Sequence, residues 1–327
     1  MNCCFCGEDE REKLIELLIN NNNTSNKLVI CHECLFEVFN QTLYCNNCNA
    51  PIDAHSQHID AQIKNGKLIC PNCLCDNMCV FSFKSNNLNS YGYKPNPKFY
   101  KEDNDNDQLF MGVELEIGGL NSYNTVNSFC NHHSANFFYY KNDGSISGAG
   151  CEIVTHPATL KYHESNKSGW RLLFKHFNDL HFISGSSTNT GLHIHVNRNI
   201  LSNTQMKKMD LLVNGNEFVK KIARRSGNSY CVYQNKRHNN WGMSGSRYES
   251  VNFNNRHTVE FRIFNGTNKV EELFGSLEFV KSIINISNNI SYEELYEDKE
   301  LIFNKLKEYA SANNLNYLLE LIDKEVA

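Results

Sequence analysis

From Leu109 onward, apolar and polar residues alternate with two different periods. In "FMGVELEIGG", Val113, Leu115 and Ile117 alternate with Glu114 and Glu116, the period of two that marks a strand with one face in a core. "NFFYYKNDGS" and "GCEIVTHP" predict two more strands, the second stopped by Pro157, and "GLHIHVNR" alternates again. "SGWRLLFKHF" instead carries Trp170, Phe174 and Phe177 at helical spacing. "SNTQMKKMDLLVNGNEFVKKIARR" predicts a helix capped by Ser202, with Met206, Met209 and Val213 on one side. "YESVNFNNRHTVEFRIFNG" predicts a hairpin turning at Asn254-Asn255, and the tail is helical, with Leu273, Leu277, Val280 and Ile284 as its first stripe. Strands interspersed with helices, plus a hairpin, predict an α+β domain around a mainly antiparallel sheet over residues 108–327.

The N-terminal quarter has neither period. It divides into two cysteine-rich modules, 1–41 and 42–84, followed by a polar, proline-containing stretch over 85–107 that is expected to be a linker. A chain of 327 residues has room for this organisation. The net charge of −4 gives no global reason for a nucleic-acid or membrane surface. No apolar run is long enough to span a bilayer, and "MNCCFCGEDE" lacks the basic and apolar regions of a signal peptide. A cytoplasmic protein with no membrane association is the expectation.

Eleven of the 14 cysteines lie in the first 79 residues, mostly as Cys-x-x-Cys pairs. In a reducing compartment that bunching points to zinc rather than to disulfides. Two thiolates separated by two residues grip one ion from a tight turn, and a second pair completes a tetrahedron. Cys3 and Cys6 with Cys31 and Cys34, and Cys45 and Cys48 with Cys70 and Cys73, therefore predict two Zn2+ sites, although sequential and crossed pairing fit equally. "CFCG" before a helix-like stretch, then "KLVICHECL", resembles the short zinc-binding domain of Clp-type unfoldases. The second module resembles a zinc ribbon. Such modules bind proteins, nucleic acid or nothing, so they indicate a macromolecular partner without naming it.

In the second domain, four strand-like segments carry ionisable residues in unusual combinations. Glu114 and Glu116 share a face, about 6 to 7 Å apart along the strand. "KNDGSISGAGCEIVTHP" supplies Asp143 and Glu152; "GLHIHVNR" puts His193 and His195 on one face; "HTVEFRIF" puts Glu260 and Arg262 together. Each has a plain reading alone, as a solvated face or a surface ion pair. Gathered on one sheet face, the carboxylates and imidazoles would require cations, and hard oxygen ligands suit Mg2+ or Mn2+. An arginine beside them suits a phosphate.

In this order, Glu114-x-Glu116, "DGS…CEIVTHP", "GLHIHVN" and "RYESVNF…TVEFRIFNGT" resemble the motifs of the amidoligase family, over about Leu109 to Val280. That family is grouped with glutamine synthetase and glutamate–cysteine ligase. The resemblance implies a glutamine-synthetase-like curved sheet and an ATP-dependent ligase that phosphorylates a carboxylate and passes the acyl group to an amine. It further implies Glu116, Asp143 and Glu152 as ligands of one ion on the substrate side. Glu114, His193 and Glu260 would hold a second ion under the ATP phosphates. His195 would contact nucleotide phosphate and Arg262 the transferring phosphoryl group, with Arg247 a further candidate for phosphate or substrate carboxylate. Asp143 could instead act as the base that deprotonates the amine.

Two other readings compete. One is a zinc-module adaptor with a catalytically silent ligase-like domain; the other is a metal-dependent hydrolase built on His-x-His, in which Glu-x-Arg has no obvious place. The acid and amine, peptides and proteins among them, are not legible, nor is the oligomeric state. Tyr230, Tyr233, Arg237 and Trp241 are candidate pocket residues. Purified without chelators, the full chain is expected to carry about two zinc ions. Metal analysis that finds none would remove the zinc modules.

Overall fold

The computed structural model describes residues 14–21, 24–31, 62–64 and 67–69 by their backbone and, from 88 to 326, all but 121, 133–136, 186–189, 234–244 and 298. Two compact units divide the chain. One comprises Met1–Ser85 with His132–Asn136, the other Asn86–Asn131 with Phe137–Ala327.

In the first unit, strands β1 (Leu14–Asn21), β2 (Thr24–Cys31), β3 (Gln62–Lys64) and β4 (Lys67–Ile69) form one sheet in the order β2-β1-β3-β4. The stretch after "CFCG", expected to be helix-like, is thus a strand. It pairs antiparallel with β2 from Leu14↔Cys31 to Asn21↔Thr24, and cross-strand pairing of this kind overrides helix propensity. Cys3, Cys6, Cys34, Cys45, Cys48, Cys70 and Cys73, and the side chain of Cys31, lie outside the described residues.

The second unit is α+β. Strands β5 (Met111–Leu120), β6 (Phe138–Lys141), β7 (Ala149–Thr155), β8 (Gly191–Asn197), β9 (Val251–Asn252) and β10 (Thr258–Asn265) form an open, antiparallel six-stranded sheet in the order β6-β7-β5-β8-β10-β9. The alternation seen in the sequence sorts its two faces. Val113, Leu115, Ile117, Ile153, Leu192, Ile194, Val259 and Phe261 are fully buried in the core. Helix Val270–Asn289 contributes Leu273, Phe274, Leu277, Val280 and Ile284 to that core, and its Phe279 meets Phe264 of β10 edge-on at 5.9 Å.

Three local features differ from the reading of the sequence. The helix beginning after Ser202, whose hydroxyl accepts from the Gln205 N–H, breaks at Asn216 into Asn203–Gly215 and Glu217–Ala223. Asn216 is extended, and its amide donates to the Leu212 carbonyl at 2.8 Å, replacing the bond the break removes. The β9–β10 pairing sets Val251 opposite Phe261 and Asn252 opposite Glu260, so the hairpin closes around Arg256 through a wider loop than Asn254-Asn255 alone. The segment expected as a linker is bonded to the sheet at two points. Asn89 exchanges backbone bonds with Tyr140 and Asn142, and Tyr100 with Pro157 and Thr159. Among the described residues no helix is long and apolar enough to cross a membrane.

The last helix, Asn316–Glu325, has no side-chain cap from Leu315; Glu278 supplies one from the long helix, accepting the Leu318 N–H at 2.7 Å. Glu278 is 2 % exposed, and burial, with Glu164 and Glu320 nearby, lifts its carboxyl to about 7 against that capping bond. A carboxyl raised on folding stabilises fully below its unfolded value and loses that contribution as pH rises through about 7. Glu278→Gln should therefore melt like the wild type at pH 4 and at a higher temperature at pH 8.5, where the gain in stability is up to about 3 kcal/mol. Equal melting temperatures at pH 8.5 would refute this.

Candidate functional site

Residues directly opposed in an antiparallel ladder project to the same face, so the register decides which side chains can meet. Lys141 of β6 opposes Glu152 of β7, which opposes Glu116 of β5. One step along, Tyr139 opposes Val154, Val154 opposes Glu114, and Glu114 opposes His193 of β8. A further step sets Gly112 opposite His195, His195 opposite Glu260 of β10, and Glu260 opposite Asn252 of β9. The face turned away from the core thus collects Glu114, Glu116, Glu152, His193, His195 and Glu260.

This face is not a solvated one. Glu116, Glu152, His193 and Glu260 are between 3 and 6 % exposed. His193 Nδ1 lies 3.7 Å from Glu114 Oε2 and 3.5 Å from Glu260 Oε1; His195 Nε2 lies 3.3 Å from Glu114 Oε1 and 3.9 Å from Glu260 Oε1. Neither nitrogen has a hydrogen-bond partner. Glu116 Oε2 accepts the Gly191 N–H at 2.6 Å, Glu152 pairs with Lys141 at 2.9 Å, and Glu260 accepts from Asn252 at 2.9 Å and from Arg262 Nη1 at 2.5 Å.

Two groups of side chains offer ligand atoms within 4.8 Å of one another: Glu114, His193 and Glu260, and Glu116, Glu152 and His193. A buried imidazole nitrogen without a hydrogen bond, 3.5 to 3.7 Å from two carboxylate oxygens, is spaced as ligands around one cation are. The residues present fit divalent metal ions, and the mostly carboxylate donor set favours magnesium or manganese.

Electrostatics agree with that fit. Burial, reinforced by the Glu114 charge, pushes Glu152 up to about 8 even with Lys141 beside it, and burial also raises Glu116. Burial acts on Glu114 in the same direction, but the His195 and His193 rings overcome it and hold this carboxyl well below its usual value. For His195 burial pushes downward, and the Glu114 and Glu260 carboxylates outweigh it, lifting the ring to about 9.

Asp143 stands apart from both groups. Its Oδ1 accepts the Ser145 N–H and hydroxyl, each at 2.7 Å, and its charge reaches Glu116 only as a repulsion. Arg262 sits at the edge of the cluster, donating from Nε to the Tyr230 carbonyl at 3.2 Å. Arg247 is exposed and stacks on Tyr248 at 4.8 Å, the ring that also faces Arg262 at 5.9 Å. Tyr230 touches Tyr248 edge-on and Tyr233 donates to the Arg225 carbonyl at 3.3 Å, while Arg237 and Trp241 lie outside the described residues.

Several residues of this face were not singled out from the sequence. Lys141, Tyr139 and Asn252 belong to it by register, which alternation alone does not supply. Gly191 is needed as a glycine: a Cβ there would lie 2.9 Å from His193 Nε2 and 3.1 Å from Arg225 Nη1. Beside the His195 end of the cluster opens a cavity of about 180 Å³. Phe99, Phe110, Pro97 and Pro157 form its apolar walls, and Glu114 and His195 its polar end.

No protein-family model matches the chain, and no curated protein matches it.

Because Glu152 and His195 are both raised on folding, their contributions are present at low pH and lost as pH rises through about 8 and about 9. A divalent cation would offset that loss and would compete with fewer protons. The melting-temperature gain from millimolar Mg2+ is therefore expected to be larger at pH 9 than at pH 6.5, and to disappear in Glu152→Gln with Glu260→Gln. A gain independent of both pH and these side chains would place the ions elsewhere.

Proposed function

We propose that the second unit is an ATP-dependent carboxylate–amine ligase of amidoligase type, with a glutamine-synthetase-like sheet. One observation carries the reading: two carboxylate groups share His193 on a buried sheet face, with Arg262 held at their edge by Glu260. A carboxylate substrate is a poor electrophile, and transfer of a phosphoryl group supplies a leaving group that an amine then displaces. The barrier to such a transfer is largely electrostatic, and bound divalent cations would neutralise charge on the transferring group.

Glu114, His193 and Glu260 would hold the ion under the nucleotide phosphates, and Glu116 with Glu152 the ion on the substrate side. His195 would donate to a phosphate oxygen, and Arg262, oriented by Glu260 at 2.5 Å, would meet charge developing on the phosphoryl oxygens. The apolar cavity at the His195 end is of a size for a flat heteroaromatic ring, which supports a nucleotide lying with its phosphates towards the cluster. Asp143, turned to Ser145 and outside both ligand groups, suits the role of proton acceptor from the attacking amine better than that of ligand. The zinc modules would recruit a partner or a protein substrate.

Titration calorimetry of the full chain with ATP in excess Mg2+ tests this. The wild type should bind ATP, and Glu114→Gln with Glu260→Gln, while folded, should bind at least about tenfold more weakly and turn over none. Magnesium-dependent binding of the protein to ATP that the double variant retains would overturn the site, and no binding by the wild type would leave an adaptor with a silent domain. Incubation with ATP, Mg2+ and a panel of amino acids and peptides, read by mass for new amides, would identify the substrates.

A further inference from the structure

β10 does not run in even register along β8. Phe261 opposes Ile194 and Phe264 opposes Leu192, so Arg262 and Ile263 together stand opposite the single residue His193. This is a β-bulge, a device that leaves backbone groups without ladder partners and re-aims a side chain. It lies where the metal-ligating imidazole and the site arginine face each other across two strands.

The Arg262 N–H donates to the Ser250 carbonyl at 2.9 Å, and two carbonyls at the bulge are taken up by Arg225. Its Nη1 donates to the Arg262 carbonyl at 3.1 Å and to the Phe264 carbonyl at 3.3 Å, and its Nη2 donates to Asn228 Oδ1 at 3.2 Å. The residue is 9 % exposed. Helix Glu217–Ala223 delivers it. Arg224 takes a left-handed conformation at φ 55° and the Arg225 N–H bonds back to the Lys220 carbonyl, which turns the chain sharply at the helix end. Arg224 itself pairs with Glu272 of the long helix, anchoring the turn. The same Nη1 lies 3.1 Å from where a Cβ on Gly191 would stand, so the absence of a side chain there leaves room for it.

We infer that Arg225 is a positioning residue: it clamps the β10 bulge and thereby holds Arg262 towards the carboxylate cluster. A planar guanidinium suits this task because Nη1 meets both carbonyls while Nη2, held in the same plane, reaches Asn228; an ammonium group has one nitrogen and presents no such fork. The consequence for binding rests on the phosphate role proposed above for Arg262, whereas the clamp itself does not.

Two measurements on the full chain separate these. Hydrogen exchange of the ligand-free protein reads the clamp: Arg225→Met should speed exchange of the amides in Thr258–Asn265 by about tenfold or more, with β5 and β7 unchanged. Unchanged exchange in β10, or a uniform rise across the sheet, overturns the inference whether or not the protein binds ATP. Calorimetry reads the consequence. Arg225→Met should keep its Mg2+ affinity within about threefold and lose about tenfold or more in ATP affinity, with Arg225→Lys recovering only part of the loss. Equal loss of Mg2+ and ATP binding, or full recovery by lysine, contradicts a positioning role exerted through Arg262. Should Arg225→Met fail to fold, Arg225→Lys is read by the same exchange criterion.

Discussion

Four carboxylates on one sheet face, three of them buried and set two and two around His193, are the constraint on which the rest of the second unit depends. Removing a carboxylate from water is costly, and placing like charges together adds repulsion that a low-dielectric surrounding does not screen. A fold that only had to persist would have no reason to gather them. Lys141, Arg262 and the two imidazoles offset part of the cost, yet Glu152 is still displaced to about 8 and His193 Nδ1 still lacks a hydrogen bond. The cost that remains is borne by the apolar core on the other face of the sheet.

Sheet architecture makes the gathering possible. Antiparallel pairing brings residues of β7, β5, β8 and β10 to one face at matched heights, so Glu152, Glu116, Glu114, His193, His195 and Glu260 need no long loops to find one another. Each is carried on a strand whose alternate residues are locked in the core, which fixes its direction. The regular ladder cannot supply everything, however. At Arg262 and Ile263 the register of β10 against β8 shifts, and the Arg262 and Phe264 carbonyls are met by Arg225 from a helix end.

How much of this can be read from the amino-acid order follows from which forces are local. Val113, Leu115 and Ile117 alternate with two glutamates because one side of β5 is core, so strand and face are both legible in ten residues. The same holds for His193 and His195, and for Glu260 with Arg262. What alternation cannot state is which strand lies beside which. Lys141 is therefore invisible as the partner of Glu152, and Tyr139 as a neighbour of the cluster, until the order β6-β7-β5-β8-β10-β9 is known. Side-chain direction within loops is equally hidden. Asp143 belongs to a "DGS" turn whose own Ser145 donors attract it, a contest between local and distant partners that spacing does not decide. The strand at Leu14–Asn21 is a third case, where helix-favouring residues yield to pairing with Thr24–Cys31.

His193 is the residue in which these threads meet. It is the member common to both ligand groups, it stands opposite Glu114 in the ladder, and it faces the bulge that carries Arg262. Its Nδ1 is directed to Glu114 and Glu260, while its Nε2 lies where a side chain on Gly191 would stand, 2.9 Å from the position of a Cβ there. One imidazole has two nitrogens but a single ring orientation, so whatever fixes that orientation fixes the spacing between the two groups. The missing side chain at residue 191 leaves room for the ring on one side, and the two carboxylates flank it on the other. The relation between the two ligand groups can therefore be tuned from this one seat, with no change to any carboxylate.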